Sequence, residues 1–148
     1  MKLKSVLSII LLTVFTFGCK KPSHSIIFHK SHETQKQDSP FSDAVEANGF
    51  LFLSGQLGID HKTRTLVEGG IEAETRQCIE NIKSVLEHHQ LSLDNVVKCT
   101  VVLKSMDDFA IFNQIYKDYF PNKPARTTFA ASGLALNASI EIEVVATR

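Results

Sequence analysis

The sequence predicts an α+β protein, a mixed sheet carrying two helices on one face. Three observations support this. Two stretches repeat apolar residues at helical spacing, short apolar or alternating runs lie before, between and after them, and the resulting order is β-β-α-β-α-β-β. A further short strand is expected around Leu66.

The amino-terminal residues stand outside that domain. Lys2 and Lys4 precede an apolar run from Val6 to Phe17 that ends in "TFGCK", which reads as a secretory signal and is short for a bilayer-spanning helix. Gly18 before Cys19 resembles the processing site of a bacterial lipoprotein, in which the cysteine becomes the lipidated first residue. Residues 1–19 are therefore expected to be a signal with lipidation at Cys19, with a plain secretory signal or an uncleaved anchor as the alternatives, since Thr16 and Phe17 depart from the usual lipobox. The lipid would anchor the protein to a membrane of the bacterial cell envelope, facing the periplasm. Lys20 rather than Asp after Cys19 favours the outer membrane. Residues 20–39 are polar and aperiodic and read as a solvated linker, since His24, His29 and His32 match no compact metal-ligand spacing. The domain then spans residues 40–148.

Within it, Asn48-Gly49 sits between two apolar-bearing runs and signals a two-residue hairpin turn. The second run, Phe50 to Leu53, is apolar at every position and calls for cover on both faces, from other elements or from another subunit. From Gly70 to Gln90 a helix buries Ile71, Thr75, Cys78, Ile82, Val85, Leu86 and His89, with Glu74 among the residues on its other faces. The run "NVVKCTVVLK" alternates, with Val97, Cys99, Val101 and Leu103 on one side. A second helix starts at "SMDD", with Ser105 and Asp108 as a capping box, and carries a stripe of Phe109, Phe112, Tyr116 and Phe120 before Pro121 stops it. Strands over Arg126–Ser132 and Ser139–Ala146 complete the chain.

The 148 residues carry no formal net charge, with 43% hydrophobic and 22% charged residues. That balance gives no electrostatic footprint for nucleic-acid phosphates and weighs against an RNA-binding or ribonuclease role. Cys78 and Cys99 lie on the apolar faces of their elements and read as small hydrophobes. An envelope location would permit a disulfide between them, but sequence does not give their separation.

Arg126 and Glu141 fall in stretches that otherwise read as buried strand. Pro124 stiffens the approach to Arg126, and a held guanidinium offers the planar fork that a small carboxylate needs. Glu141 reads either as a solvent-facing residue of a half-exposed strand or as a water-orienting group beside a bound substrate.

The runs "FLFLSGQLGID", "QCIENIKSVLEHHQLSLDNVVKCTVVLK", "DDFAIFNQIYKDYF" and above all "PARTTFAASGLALNASIEIEVVA" together resemble the RidA (YjgF-type) family of reactive-intermediate deaminases over residues 40 to 148. The resemblance implies a chorismate-mutase-like fold and a homotrimer with clefts between neighbouring subunits. It implies hydrolysis of 2-imino or enamine acids, of the 2-aminoacrylate or 2-aminocrotonate type, to 2-oxo acids and ammonia, with no cofactor or metal. Arg126 resembles the arginine that grips the substrate carboxylate, and Glu141 the glutamate that places water. Gly55 falls where a backbone group lines the cleft, Asn113 matches a site asparagine, and Thr128 stands where many members have cysteine. Phe41 replaces a tyrosine of many members, so the ring is kept and the hydroxyl lost. That exchange keeps a second reading open, an envelope trimer that binds small carboxylates or 2-oxo acids without turning them over. A purely structural lipoprotein is a further possibility, and it leaves Arg126 and Glu141 unexplained.

Overall fold

The computed structural model describes residues 25–148, so Cys19 and the expected signal lie outside the described residues. Eleven strands and α-helices follow in order: β1 Ile26–His29, β2 Ala44–Ala47, β3 Phe50–Leu53, β4 Gln56–Leu57, β5 Ile59–Asp60, β6 Thr65–Leu66, α1 Gly70–His88, β7 Val96–Leu103, α2 Phe109–Tyr119, β8 Ala125–Ala130 and β9 Ile140–Thr147. The main sheet runs β1-β2-β3-β9-β7-β8, with β4 also on β9. Among the described strands only β7 and β8 are parallel, joined through α2. This is the expected mixed sheet with two helices on one face.

Asn48 and Gly49 both adopt positive φ, at 53° and 80°, and close the β2–β3 hairpin with Ala47 opposite Phe50. β5 and β6 form the small hairpin expected around Leu66. The core lies between the sheet and the helices. Cys99, Val101, Leu103, Ile142 and Val144 face Cys78, Ile79, Ile82, Leu86 and Phe112, all at most 1% exposed.

Three details differ from the sequence reading, and the burial of Cys78 and Cys99 as unlinked thiols agrees with it. Val96, not Val97, is buried at the start of β7, because a one-residue register shift between Val96 and Lys98 turns Val97 outward. Ser105 caps a 3₁₀ turn at Met106–Asp108 by accepting from the Asp107 amide at 3.1 Å, and Asp108 makes no side-chain cap bond. Cys78 and Cys99 are buried free thiols, each with a polar partner: Cys78 Sγ donates to Gln56 O, and Cys99 Sγ accepts from Tyr116 Oη. The linker reading of residues 20–39 gives way, over its described part, to ordered structure. Ile26–His29 adds an edge strand to β2, and Lys36 Nζ reaches the buried Asp43 carboxylate at 2.6 Å. His29 and His32 pack their rings on His89 and His88 at the end of α1.

Glu74 is also buried, at 5% exposure, where it accepts from Ser139 N and Ser139 Oγ, both at 2.7 Å. It ties α1 to the entry of β9. Two charge-assisted bonds in a shielded place lead us to expect that Glu74→Ala lowers unfolding free energy by about 3 kcal/mol, measured by urea denaturation.

Strand parity gives the sheet two unlike faces. Facing pairs in register share a face, so Ile26 and Phe50 (both neighbours of Ala47), Phe28 and Phe52 (both neighbours of Val45), and Phe129 all point away from the helices. They are 42–70% exposed, and no described element covers them. The continuously apolar Phe50–Leu53 thus has one face in the core, through Leu51 and Leu53, and one face bare.

Candidate active site

Arg126 stands at the start of β8, opposite Cys99 of β7, and therefore on the helix side of the sheet. α2 brings Asn113 to it one turn from Tyr116, and Arg126 Nη2 donates to Asn113 Oδ1 at 2.7 Å. The guanidinium carbon lies 4.5 Å from the Tyr116 ring centroid and 5.1 Å from that of Phe112, a cation–π seat that fixes the fork. No carboxylate of the described residues forms an ion pair with it. The fork opens on a cavity of about 510 Å³ lined by Asn113, Tyr116, Lys117, Phe120, Lys123 and Pro124 as well as Arg126. Burial and the bond to Cys99 push the Tyr116 phenol well above its ordinary range, so it stays neutral under the cation.

Thr128 follows two residues along β8 on the same face, and its buried Oγ1 has no partner among the described residues. Arg126, Asn113 and Thr128 form one group.

Glu141 belongs to another. It lies opposite Val102, on the face turned away from the helices, with Leu57 as its neighbour on β4. Its carboxylate closes on Gly55: a Cβ added there would collide with Glu141 Oε1 and approach Cδ to 2.9 Å, so only glycine lets the acid take this position. Gly55 and Phe41 line one cavity of about 120 Å³. α1 fixes this wall, since Asn81 Nδ2 donates to both Leu57 O and Ile59 O at 2.9 Å. Within one chain, then, the predicted site residues fall into two groups on opposite sheet faces, and Arg126 and Glu141 do not share a side.

Burial, and then the adjacent Glu143, holds the Glu141 carboxyl above the usual carboxylate range. A raised carboxyl suits a group that must both take and return a proton. If its anion supports turnover, kcat/KM falls as pH drops through this raised pKa. Glu143→Gln removes the repelling charge and should move that acidic limb to lower pH in a pH–rate profile.

Sequence reasoning missed Tyr116 and Phe112 as the seat of Arg126, and Asn81 as the clamp on the Gly55–Leu57 wall. The aromatic spacing also fits a plain core stripe, and a single asparagine on an amphipathic helix gives no signal of its own.

This mixed sheet with two helices is the fold of the RidA/YjgF class of proteins. The chain belongs to the family described as Endoribonuclease L-PSP, the family of the RidA and YjgF proteins, which matches residues 32–148. It is 47% identical over 112 residues to a RutC family protein of Pyrococcus horikoshii, covering 75% of this chain and 89% of that protein. It is 38% identical over 108 residues to the mouse 2-iminobutanoate/2-iminopropanoate deaminase, covering 72% of this chain and 80% of the mouse protein. The solved structure of a Rid family protein of unknown function from Yersinia pestis superposes with a TM-score of 0.78 at 36% identity, covering 84% of this chain and all of that one (100%). Imine deaminase activity is thereby supported at the level of the family.

Proposed function

We propose that this protein hydrolyses short 2-imino and enamine acids to 2-oxo acids and ammonia, as a homotrimer whose clefts join the Arg126 group of one protomer to the Glu141 group of the next. The observation that carries the reading is Arg126: a half-buried guanidinium, seated on aromatic rings, with one bond to Asn113 and an open cavity before it. Such a group is built to receive a carboxylate. The named activity of the mouse relative supports the same chemistry. The bare apolar sheet face supports assembly, because a single protomer rarely leaves so much contiguous apolar surface in water.

In the reaction, the guanidinium holds the substrate carboxylate and the Glu141 carboxylate aims a water at the imine carbon. The C–O bond forms, the nitrogen takes up protons and departs as ammonia when the C–N bond breaks. An iminium carbon is already electrophilic, so positioning supplies most of the acceleration. Glu141 passes the water's proton onward, consistent with its raised pKa. No residue of this scheme requires a cofactor.

Phe41 favours the second reading. Its ring lines the Gly55 cavity without a hydroxyl to order water, which is compatible with a trimer that captures 2-oxo acids without turnover. A coupled imine-hydrolysis assay beside calorimetry with 2-oxobutyrate separates the two. Turnover well above the spontaneous rate supports the enzyme, and binding without acceleration supports the receptor.

Export and lipidation at Cys19 belong to the same proposal. Labelling with a fatty-acid probe in a bacterial host should mark the parent and spare Cys19→Ser, and an unlabelled parent overturns the anchor.

A further inference from the structure

The cavity next to the Gly55–Glu141 contact offers a cation, Arg64, beyond the one that a single-carboxylate substrate needs. Its lining includes Lys36, His61 and Arg64 together with Phe41 and Gly55. Lys36 is engaged, 2.6 Å from Asp43 and 3.4 Å from Gln56 Oε1. Arg64 and His61 are different. Arg64 is exposed and its guanidinium has no hydrogen bond or ion pair to any described residue, and the buried His61 Nδ1 has no partner among the described residues.

These groups stand on a stiff support. Arg64 takes a positive φ of 61° in the turn between β5 and β6, where its amide donates to Asp60 O at 2.8 Å. Asp60 Oδ1 accepts from the Lys62 amide at 2.8 Å, and Asn81 pins the Ile59 carbonyl from α1. The hairpin therefore presents Arg64 and His61 from a fixed wall. Burial first and Lys36 next push the His61 imidazole below its ordinary range; Glu33 pulls the other way, ahead of a lesser lowering by Arg64 and a still lesser opposing pull from Asp43. His61 is thus a neutral ring at neutral pH, able to donate through one nitrogen.

We infer that the cleft selects 2-imino acids bearing a second carboxylate on a short chain, whose tail enters the 120 Å³ cavity and meets Arg64 and His61. The inference rests on the imine-hydrolase reading and deepens it. Arg126 of the neighbouring protomer holds the carboxylate next to the imine carbon, Glu141 serves that carbon, and the tail carboxylate meets Arg64 and His61. The volume equals roughly four waters, which suits a carboxymethyl or carboxyethyl tail. Arg64 at the exposed side of the cavity gives a tail carboxylate a cation to pair with that a monocarboxylic imine cannot use, and the difference falls on the dicarboxylate's side. Hydrolysis itself is unchanged: water adds at the imine carbon, ammonia leaves, and the product is a 2-oxo dicarboxylate.

The test compares two imines generated in situ by an amino-acid oxidase, 2-iminosuccinate from aspartate and 2-iminobutanoate from 2-aminobutyrate. The ratio of their kcat/KM values is expected to favour the dicarboxylate by about tenfold or more in the parent. In Arg64→Ala it should collapse toward one, with partial recovery in Arg64→Lys, and His61→Ala should lower it as well. A parent ratio near one with 2-iminobutanoate turned over overturns the inference and leaves the hydrolase reading standing, and so does a ratio that Arg64→Ala leaves unchanged. If neither imine is turned over, the hydrolase reading falls. Calorimetry then decides on tail recognition: tighter binding of 2-oxosuccinate than of 2-oxobutyrate supports it, and equal binding overturns it.

Discussion

Arg126→Ala is expected to lower kcat/KM for 2-iminobutanoate by about 100-fold or more, while unfolding free energy changes by less than about 1 kcal/mol. The asymmetry follows from the partners of Arg126 in the free protein. Its structural contacts are one bond to Asn113 and the faces of Phe109, Phe112 and Tyr116, rings that remain packed with the core when the guanidinium is gone. With substrate bound, it supplies a bidentate, charge-assisted grip that no other described group of that cavity reproduces. Lys117 and Lys123 line the same space, and each offers a point charge on a flexible stem instead of a planar fork. Arg126→Lys should therefore recover only part of the loss. Steady-state assays on both variants, with urea melts as the folding control, measure the two quantities separately.

The second large effect concerns assembly. Phe52 is 44% exposed on the bare sheet face, with Phe50 at a ring-centroid distance of 6.3 Å. Phe52→Asp leaves β3 paired to β2 and β9, because the backbone ladder does not use that side chain. In an assembled trimer it places an unpaired carboxylate in an apolar seam, at a cost of several kcal/mol. Sedimentation should show the parent at three times the single-chain mass and the variant at one. Imine hydrolysis should disappear with assembly, since a lone protomer holds its two groups of site residues on opposite faces of one sheet. A variant that sediments as a single chain and keeps full activity contradicts the shared cleft.

Much of the architecture was legible because local signals and the fold agree. Asn48-Gly49 announces a turn that needs two positive φ values, and α1 shows an amphipathic period over its whole length. The misses have local causes. Val97 alternates correctly on paper, but a bulge shifts the register, and nothing in a run of valines marks which residue will be extruded. β1 hid because Ile26 and Phe28 point to the bare face and polar neighbours flank the short strand, so it looked like linker. Glu74 falls off the apolar stripe of α1, and its partner, Ser139, is too distant in sequence to signal its burial. For the site, proline and family resemblance made Arg126, Asn113, Gly55 and Glu141 visible as candidates. Their division between two faces depends on how β7 pairs with both β8 and β9, a tertiary fact that no single strand encodes.

The central claim is that each cleft takes its arginine from one protomer and its glutamate from another. Co-expressing Arg126→Ala and Glu141→Gln chains in equal amounts and assaying the mixed assemblies tests it most directly. Each variant alone should be nearly inactive, and the mixture should regain about one quarter of parental activity, the share of clefts that randomly receive both intact residues. A mixture no more active than the variants apart would place both residues in one protomer's site and contradict the account.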